Sequence, residues 1–253
     1  MKKTAKINAF SEEGFFWLIV GIMMTTLISC IIIMLTNDES GYFLWVRLRP
    51  LVISNHFVSI FILLTPYYFL WRTKHKAPPG LLAMWAIFMF GSNYLGSALD
   101  VYFIIPHLDT LMHAYSGGLL VILGFMLFRV IHKDNEYPQG SSPVFIIGAA
   151  FCFAMTVGVV WEIYEYLMDI IMGWNMQRFA RQYLDGTRVD LIGQEALHDT
   201  MTDFIGNMAG AIVVLVAGYK SLKIDGKFAE WMKFNKIESK IEAEESEELK
   251  ALV

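Results

Sequence analysis

PVFIIGAAFCFAMTVGVVWEIYEYLMDIIM, residues 143–172, decides the fold. A bilayer core of about 30 Å needs about 20 apolar helical residues, and this run exceeds that length. Helix is the reading that survives, because an open strand in lipid leaves backbone N–H and C=O groups unsatisfied. The charges in the run are Glu162, Glu165 and Asp169, spaced three and four apart so that they share one helix face. Five other runs repeat the pattern: Phe15 to Leu35, Leu51 to Trp71 with His56 and Pro66, Leu81 to about Ile105 with Asn93 and Asp100, Asp109 to Ile131 with His113, and Asp199 to Tyr219 with Asp203 and Asn207. The expected fold is all-α, a polytopic membrane bundle of about six spans in one domain over residues 1–219. Residues 220–253 read as a charged tail, with Phe228, Trp231, Met232 and Asn235 at helical spacing and an acidic end from Glu242 to Glu248. An amphipathic segment of this kind suits the membrane surface; a partner-binding tail is the other reading.

Composition points the same way. Of 253 residues, 56% are hydrophobic, 15% aromatic and 17% charged, and mean hydropathy is +0.48. Soluble domains are nearer half apolar and a quarter charged, which excludes an ordinary cytosolic enzyme, and disorder needs low hydrophobicity. A net charge of −4 makes no basic field for nucleic acid. Cys30 and Cys152 both lie in apolar runs and make no disulfide framework. Lys2, Lys3 and Lys6 precede the first run, but Glu12 and Glu13 interrupt them and 21 apolar residues exceed a signal-peptide core. That run is expected to remain as a first span.

Lysine and arginine mark the cytoplasmic side of short loops. Fifteen of the twenty fall in the amino-terminal tail, the loop after span two (Arg72, Lys74, Lys76), the end of span four (Arg129, Lys133) and the carboxyl tail. Arg47, Arg49, Arg178, Arg181 and Arg188 fall on the opposite side. Both termini are therefore expected in the cytoplasm. In that orientation His56, Asp100, Asp109, His113, Glu162, Glu165, Asp169, Asp199, Asp203 and Asn207 all lie in the outer half of the bilayer.

An ionisable group within a span costs about 2.5–3.5 kcal/mol on insertion, and such groups face the bundle interior. Asp109 and His113 form one stripe, Glu162, Glu165 and Asp169 a second, and Asp199, Asp203 and Asn207 a third; Gly206 and Gly210 permit close helix approach. Three stripes at one depth can converge on a pocket of carboxylates with one imidazole. Its repulsion is relieved by a cation, by shared protons or by arginine. No Lys or Arg lies in the stripes, so arginine must reach in from the external loop, Gly173 to His198, as Arg178, Arg181 or Arg188. A cation is the simplest complete remedy. The candidate ligands are Asp109, His113, Glu162, Glu165, Asp199, Asp203 and Asn207; oxygen donors suit Mg²⁺, Mn²⁺ or Ca²⁺, and one His among carboxylates also admits Zn²⁺. His113, Glu165 and Asp169 are the candidate acid–base groups. Arg178 and Arg181 are the candidate clamp for an anionic head group. Plainer roles stand beside these: Asp109 and Asp199 as helix N-caps, His113 and His56 as packing histidines, Asp100 as a solvated interface residue, and the loop as a solvated loop.

The segments Asp109-Thr-Leu-Met-His113, Trp161-Glu162-Ile-Tyr-Glu165 and Asp199-Thr-Met-Thr-Asp203-Phe-Ile-Gly-Asn207-Met-Ala-Gly210 together resemble the bacterial YjdF-type inner-membrane protein family. They are more loosely similar to VanZ-like proteins, with an Asp/His start to one span, Glu in the next and Asp-x-x-x-Asn in a later one. The resemblance covers roughly Asp100 to Gly218. It implies a bacterial plasma membrane protein; the looser likeness implies an association with glycopeptide resistance.

Three functions follow. A metal-dependent hydrolase or transferase would use the ion on a lipid or lipid-linked envelope substrate, with a carboxylate or His113 as acid or base. A proton- or cation-coupled transporter would use the same groups as a path, but needs polar groups in the inner half, and no inverted repeat is evident. A non-enzymatic accessory or envelope-resistance factor would use the network to specify the bundle.

Overall fold

Residues 143–172 form one unbroken helix, Pro143–Met172. Ser142 starts it: its hydroxyl accepts from the Val144 amide at 3.3 Å, and Pro143 supplies the fixed φ of a first helical position. Gly173 ends it at φ 68°, a conformation that favours a residue without Cβ. Its buried residues are Ile146, Ala150, Ala154, Gly158, Glu162, Glu165 and Asp169, a single stripe three or four apart. Its flanks carry Val144, Phe145, Val160, Ile163, Ile170 and Ile171, each more than half exposed. Small and polar groups face inward and bulky apolar groups face outward, as a helix surrounded by lipid requires.

The computed structural model describes residues 12–36, 50–78, 80–98, 101–105, 107–130, 142–182, 187–223, 226–231 and 235–236. Its helices are α1 (Glu12–Thr36), α2 (Pro50–Thr73), α3 (Leu81–Met89), α4 (Val101–Ile104), α5 (Leu108–Val130), α6 (Pro143–Met172), α7 (Gln194–Lys223) and α8 (Lys227–Trp231). Two antiparallel ladders pair β1 (His75–Lys76) with β4 (Asn235–Lys236), and β2 (Ala180–Gln182) with β3 (Arg188–Asp190). Among the described residues α1, α5, α6 and α7 are the four helices long and apolar enough to cross a membrane. The expected second span is the 24-residue α2, which continues through Pro66.

Two expected spans are corrected. Leu81 to Ile105 is not one regular helix. Beyond Met89 it winds as a π-helix from Phe90 to Ala98, and α4 is a separate turn. Gly91, Ser92, Gly96 and Ser97 are weak helix formers, and a Cβ on Gly96 would run into the Tyr102 ring. The sixth helix begins at Gln194, behind Gly193 at φ 63°, rather than at Asp199. Asp199 therefore lies in the second turn and is no N-cap. The same helix runs on to Lys223, so the proposed tail boundary at 220 falls inside it.

The helices form two groups. Phe16, Met23, Leu63 and Met89 centre a cluster of α1, α2 and α3. Val121, Phe125, Met126, Ala150, Ala154 and Ala211 centre the cluster of α5, α6 and α7. Tyr115 joins them: its hydroxyl donates to the Met84 carbonyl at 3.0 Å, and its ring stacks on Phe88 at 6.1 Å. The α5–α7 crossing is made by small residues. A Cβ on Gly210 would run into the Ala114 carbonyl, and one on Gly117 into the Asn207 carbonyl. Phe228 of α8 meets Phe125 edge-on at 6.2 Å, so the start of the tail folds back on the bundle. Lys2, Lys3, Lys6, Arg47, Arg49, Asp100, Lys133, Tyr183, Asp185, Met232 and the stretch from Glu242 to Glu248 lie outside the described residues.

Candidate functional site

Helical spacing places Asp109 and His113 on one face of α5, Glu162 and Glu165 on one face of α6, and Asp199 and Asp203 on one face of α7. The glycine-lined crossing then brings these faces together. His113 is the hub. Its Nε2 lies 3.9 Å from Asp109 Oδ1, 4.0 Å from Glu162 Oε1 and 3.8 Å from Asp203 Oδ2. Ligand atoms of His113, Glu162 and Asp203 all lie within 4.8 Å of one another, and so do those of Asp109, Asp199 and Asp203. Asp203 belongs to both groups.

These groups are buried and under-satisfied. Glu162 is 4% exposed and Asp203 1%. Both oxygens of Glu162, Oδ1 of Asp203 and Oδ2 of Asp199 are buried without a hydrogen-bond partner. Gln177 Nε2 faces this region but donates to Thr200 Oγ1 at 3.0 Å. Buried polar atoms are nearly always paired, and a buried carboxylate left unpaired is among the most costly arrangements in a protein. Positive charge nearby, or protons on the carboxylates, relieves such a cluster.

Part of that charge is already present. Arg178, from the loop after α6, reaches back so that Nη2 lies 2.7 Å from Asp109 Oδ2 and Nη1 3.5 Å from Asp199 Oδ1. Its guanidinium also lies over the Tyr102 ring, 5.1 Å from the centroid. Burial works to lower the Arg178 pKa, but the carboxylates of Asp109, Asp199 and Asp203 outweigh it and hold the value above its ordinary one. The residue's backbone sits at φ 47°, in the left-handed region that a side chain with Cβ seldom adopts.

The other candidates divide. Glu165 accepts from Trp161 Nε1 at 2.9 Å and is not in either close group. Asn207 is buried one turn below Asp203, with Nδ2 3.6 Å from Met155 Sδ, and also stands outside both groups. Asp169 shares the acidic stripe but is turned to the loop, accepting from the amides of Met176 (2.6 Å) and Gln177 (3.0 Å). Those two bonds hold the segment that delivers Arg178. Arg181 does not reach the cluster: it is 63% exposed and pairs with Glu195 at 3.5 Å. Arg188 caps α6, donating to the carbonyls of Gly173 (3.3 Å) and Trp174 (3.5 Å). The loop is no plain excursion, because β2 and β3 pair within it and Asn175 bonds Ala180 in both directions. His56 lies in the other helix group, edge-on to Tyr94 at 6.0 Å.

Three contributors were given no role from the sequence. Trp161 stands four residues before Glu165, a spacing that would have found it. Tyr102 and Thr200 carried no such signal. A family model described as "Predicted membrane protein (DUF2238)" matches residues 16–223. No curated protein and no solved structure matches the chain.

Proposed function

The chain belongs to the DUF2238 family of membrane proteins, the YjdF-type family, and from that premise we propose that it is a metal-dependent hydrolase or transferase acting on a lipid or lipid-linked envelope substrate. The observation that carries this reading is the convergence of His113, Glu162 and Asp203 within 4.8 Å, with neither buried Glu162 oxygen in a hydrogen bond of ordinary length. One imidazole and two carboxylates form a ligand set for Zn²⁺ or Mn²⁺, with positions left for water or substrate. Bound there, the ion would supply Lewis-acid chemistry. Glu165, held by Trp161, stands beside this set as the acid–base group. The substrate arrives from the membrane, because the flanks of α6 and α7 are apolar and exposed.

We further propose six passes, both termini in the cytoplasm and the site in the outer leaflet, on the distribution of lysine and arginine. Membrane-impermeant thiol labelling of single cysteines introduced at Lys3 and Lys250 tests this: both should resist labelling in intact cells.

The primary test is elemental mass spectrometry on the detergent-purified chain, prepared without chelator, alongside Glu162→Gln and Asp203→Asn. Near-stoichiometric metal in the wild type, lost in both variants, supports the reading, and hydrolysis of lipid phosphate esters with that ion is then the activity assay. Wild-type protein with no metal, and none taken up from excess Zn²⁺ or Mn²⁺, overturns it. A second reading, an accessory envelope factor in line with the looser VanZ-like resemblance, draws on the neutralisation that Arg178 already provides. Transport is the weaker reading, since the buried stripe of α6 below Glu162 is Gly158, Ala154, Ala150 and Ile146, and the polar side chain set against it is Asn207 of α7.

A further inference from the structure

Asp203 belongs to two groups of ligand atoms, and Arg178 touches only one of them. His113, Glu162 and Asp203 make up the first. Asp109, Asp199 and Asp203 make up the second, and in each group the ligand atoms lie within 4.8 Å of one another. Two metal positions that share one carboxylate form a recurrent arrangement in hydrolytic and phosphoryl-transfer sites, with the ions about 3.5–4 Å apart. Here the second position is contested. The guanidinium of Arg178 contacts two of its three members, at 2.7 Å to Asp109 and 3.5 Å to Asp199. It leaves Asp203 Oδ1 and Asp199 Oδ2 buried without partners. A guanidinium is planar and donates in one plane, so it serves one edge of a three-carboxylate group and cannot close around it as an ion does.

The way Arg178 is held also matters. It is carried by a loop rather than a helix, at a left-handed φ of 47° that the Asp169 bonds to Met176 and Gln177 help maintain. A residue in such a conformation persists only where its surroundings impose it.

We propose that Asp109, Asp199 and Asp203 form a second divalent-cation site, sharing Asp203 with the first, in which Arg178 stands as a built-in cation, so that a second ion and the Arg178 guanidinium exclude one another. This rests on the metal-site reading above for its first ion, but not for its second. With Arg178 seated, the site holds one ion; with Arg178 withdrawn, it holds two and the arginine is released toward whatever anionic group approaches.

The experiment is Mn²⁺ binding to the full-length chain in detergent, followed by isothermal titration and by electron paramagnetic resonance. Arg178→Ala and Arg178→Gln are compared with the wild type and with Arg181→Ala, whose side chain points away from the cluster. The expected result is one Mn²⁺ per chain in the wild type and in Arg181→Ala, and two in both Arg178 variants. The spectrum of those variants should be broadened by a neighbouring Mn²⁺, and the count should return to one in Arg178→Gln/Asp199→Asn. Thermal unfolding of Arg178→Gln shows whether the protein remains folded. One ion in both Arg178 variants overturns the second site, and two ions in the wild type overturn the exclusion. No ion in the wild type but one in Arg178→Gln removes the first site while supporting the second. No ion in any protein removes both.

Discussion

Asp203→Asn is expected to change stability with opposite signs in chelator and in metal. Asp203 lies within 4.8 Å of ligand atoms on Asp109, Asp199 and Glu162. Two unit charges at that distance interact by about 3.5 kcal/mol at an effective dielectric of 20. Arg178, seated on Asp109 and Asp199, offsets part of the repulsion. Asp203 Oδ1 has no hydrogen bond to offset the rest. At alkaline pH, where Asp203 is held ionised, neutralising this buried, unsatisfied carboxylate relieves about 1–3 kcal/mol, so in EDTA at that pH the variant should unfold later than the wild type. In Mn²⁺ at 100 times Kd the wild type should gain about 2.7 kcal/mol. At about 2–4 °C per kcal/mol for a chain of this size, that is a rise of about 5–11 °C in Tm. The variant should gain nothing. Thermal unfolding in detergent, followed by tryptophan fluorescence with EDTA or Mn²⁺ present, measures both. A variant less stable than wild type in EDTA, with an undiminished Mn²⁺ shift, would refute the reasoning and make Asp203 a structural residue.

Gly210→Ala should destabilise the bundle by about 1–3 kcal/mol, because its Cβ would enter the Ala114 carbonyl. Gly21→Ala in α1, with nothing within 4 Å of its Cβ, should be neutral or gain up to about 1 kcal/mol in the same unfolding assay. Trp161→Phe removes the 2.9 Å donor to Glu165 and should cost about 1.5–3 kcal/mol. In a Glu165→Leu background the same change should cost far less, and a double-mutant cycle reads the difference. Asp169→Ala removes the acceptor for the Met176 and Gln177 amides. Protease cleavage within residues 173–193 should accelerate, and an unchanged rate would show that other contacts hold the loop.

The sequence disclosed what depends on helical periodicity. Asp109 with His113, Glu162 with Glu165 and Asp199 with Asp203 are local pairs, and a 3.6-residue turn places each on one face wherever the helix packs. Gly206 and Gly210 announced the close crossing for the same reason. Periodicity also misled, since Asp169 lies on the Glu162–Glu165 stripe but far enough along the axis to serve the loop instead. Arginine was required by charge balance, yet which arginine was settled by the conformation of a loop. The Asp169 bonds, the Asn175–Ala180 pair and the β2–β3 ladder favour Arg178 over Arg181, and no local spacing encodes that. The π-helical turn after Met89 was hidden inside an apolar run, where hydropathy does not distinguish kinds of helix.

The α5–α7 crossing has a mechanical consequence. Where backbones touch at Gly210–Ala114 and Gly117–Asn207, no side chain lies between them to change rotamer and let the helices slide. Asp109, His113, Asp199 and Asp203 therefore ride on one stiff beam. Glu162 and Glu165 ride on α6, which meets that beam through Gly158 against the Asn207 amide and Gly124 against Ala150. The backbone contact of Gly124 with Ala150 leaves α6 as little room to slide as α7 has. The three contacts made by His113 Nε2, the 4.0 Å one to Glu162 included, are therefore set by backbone packing and not by the rotamers of intervening side chains.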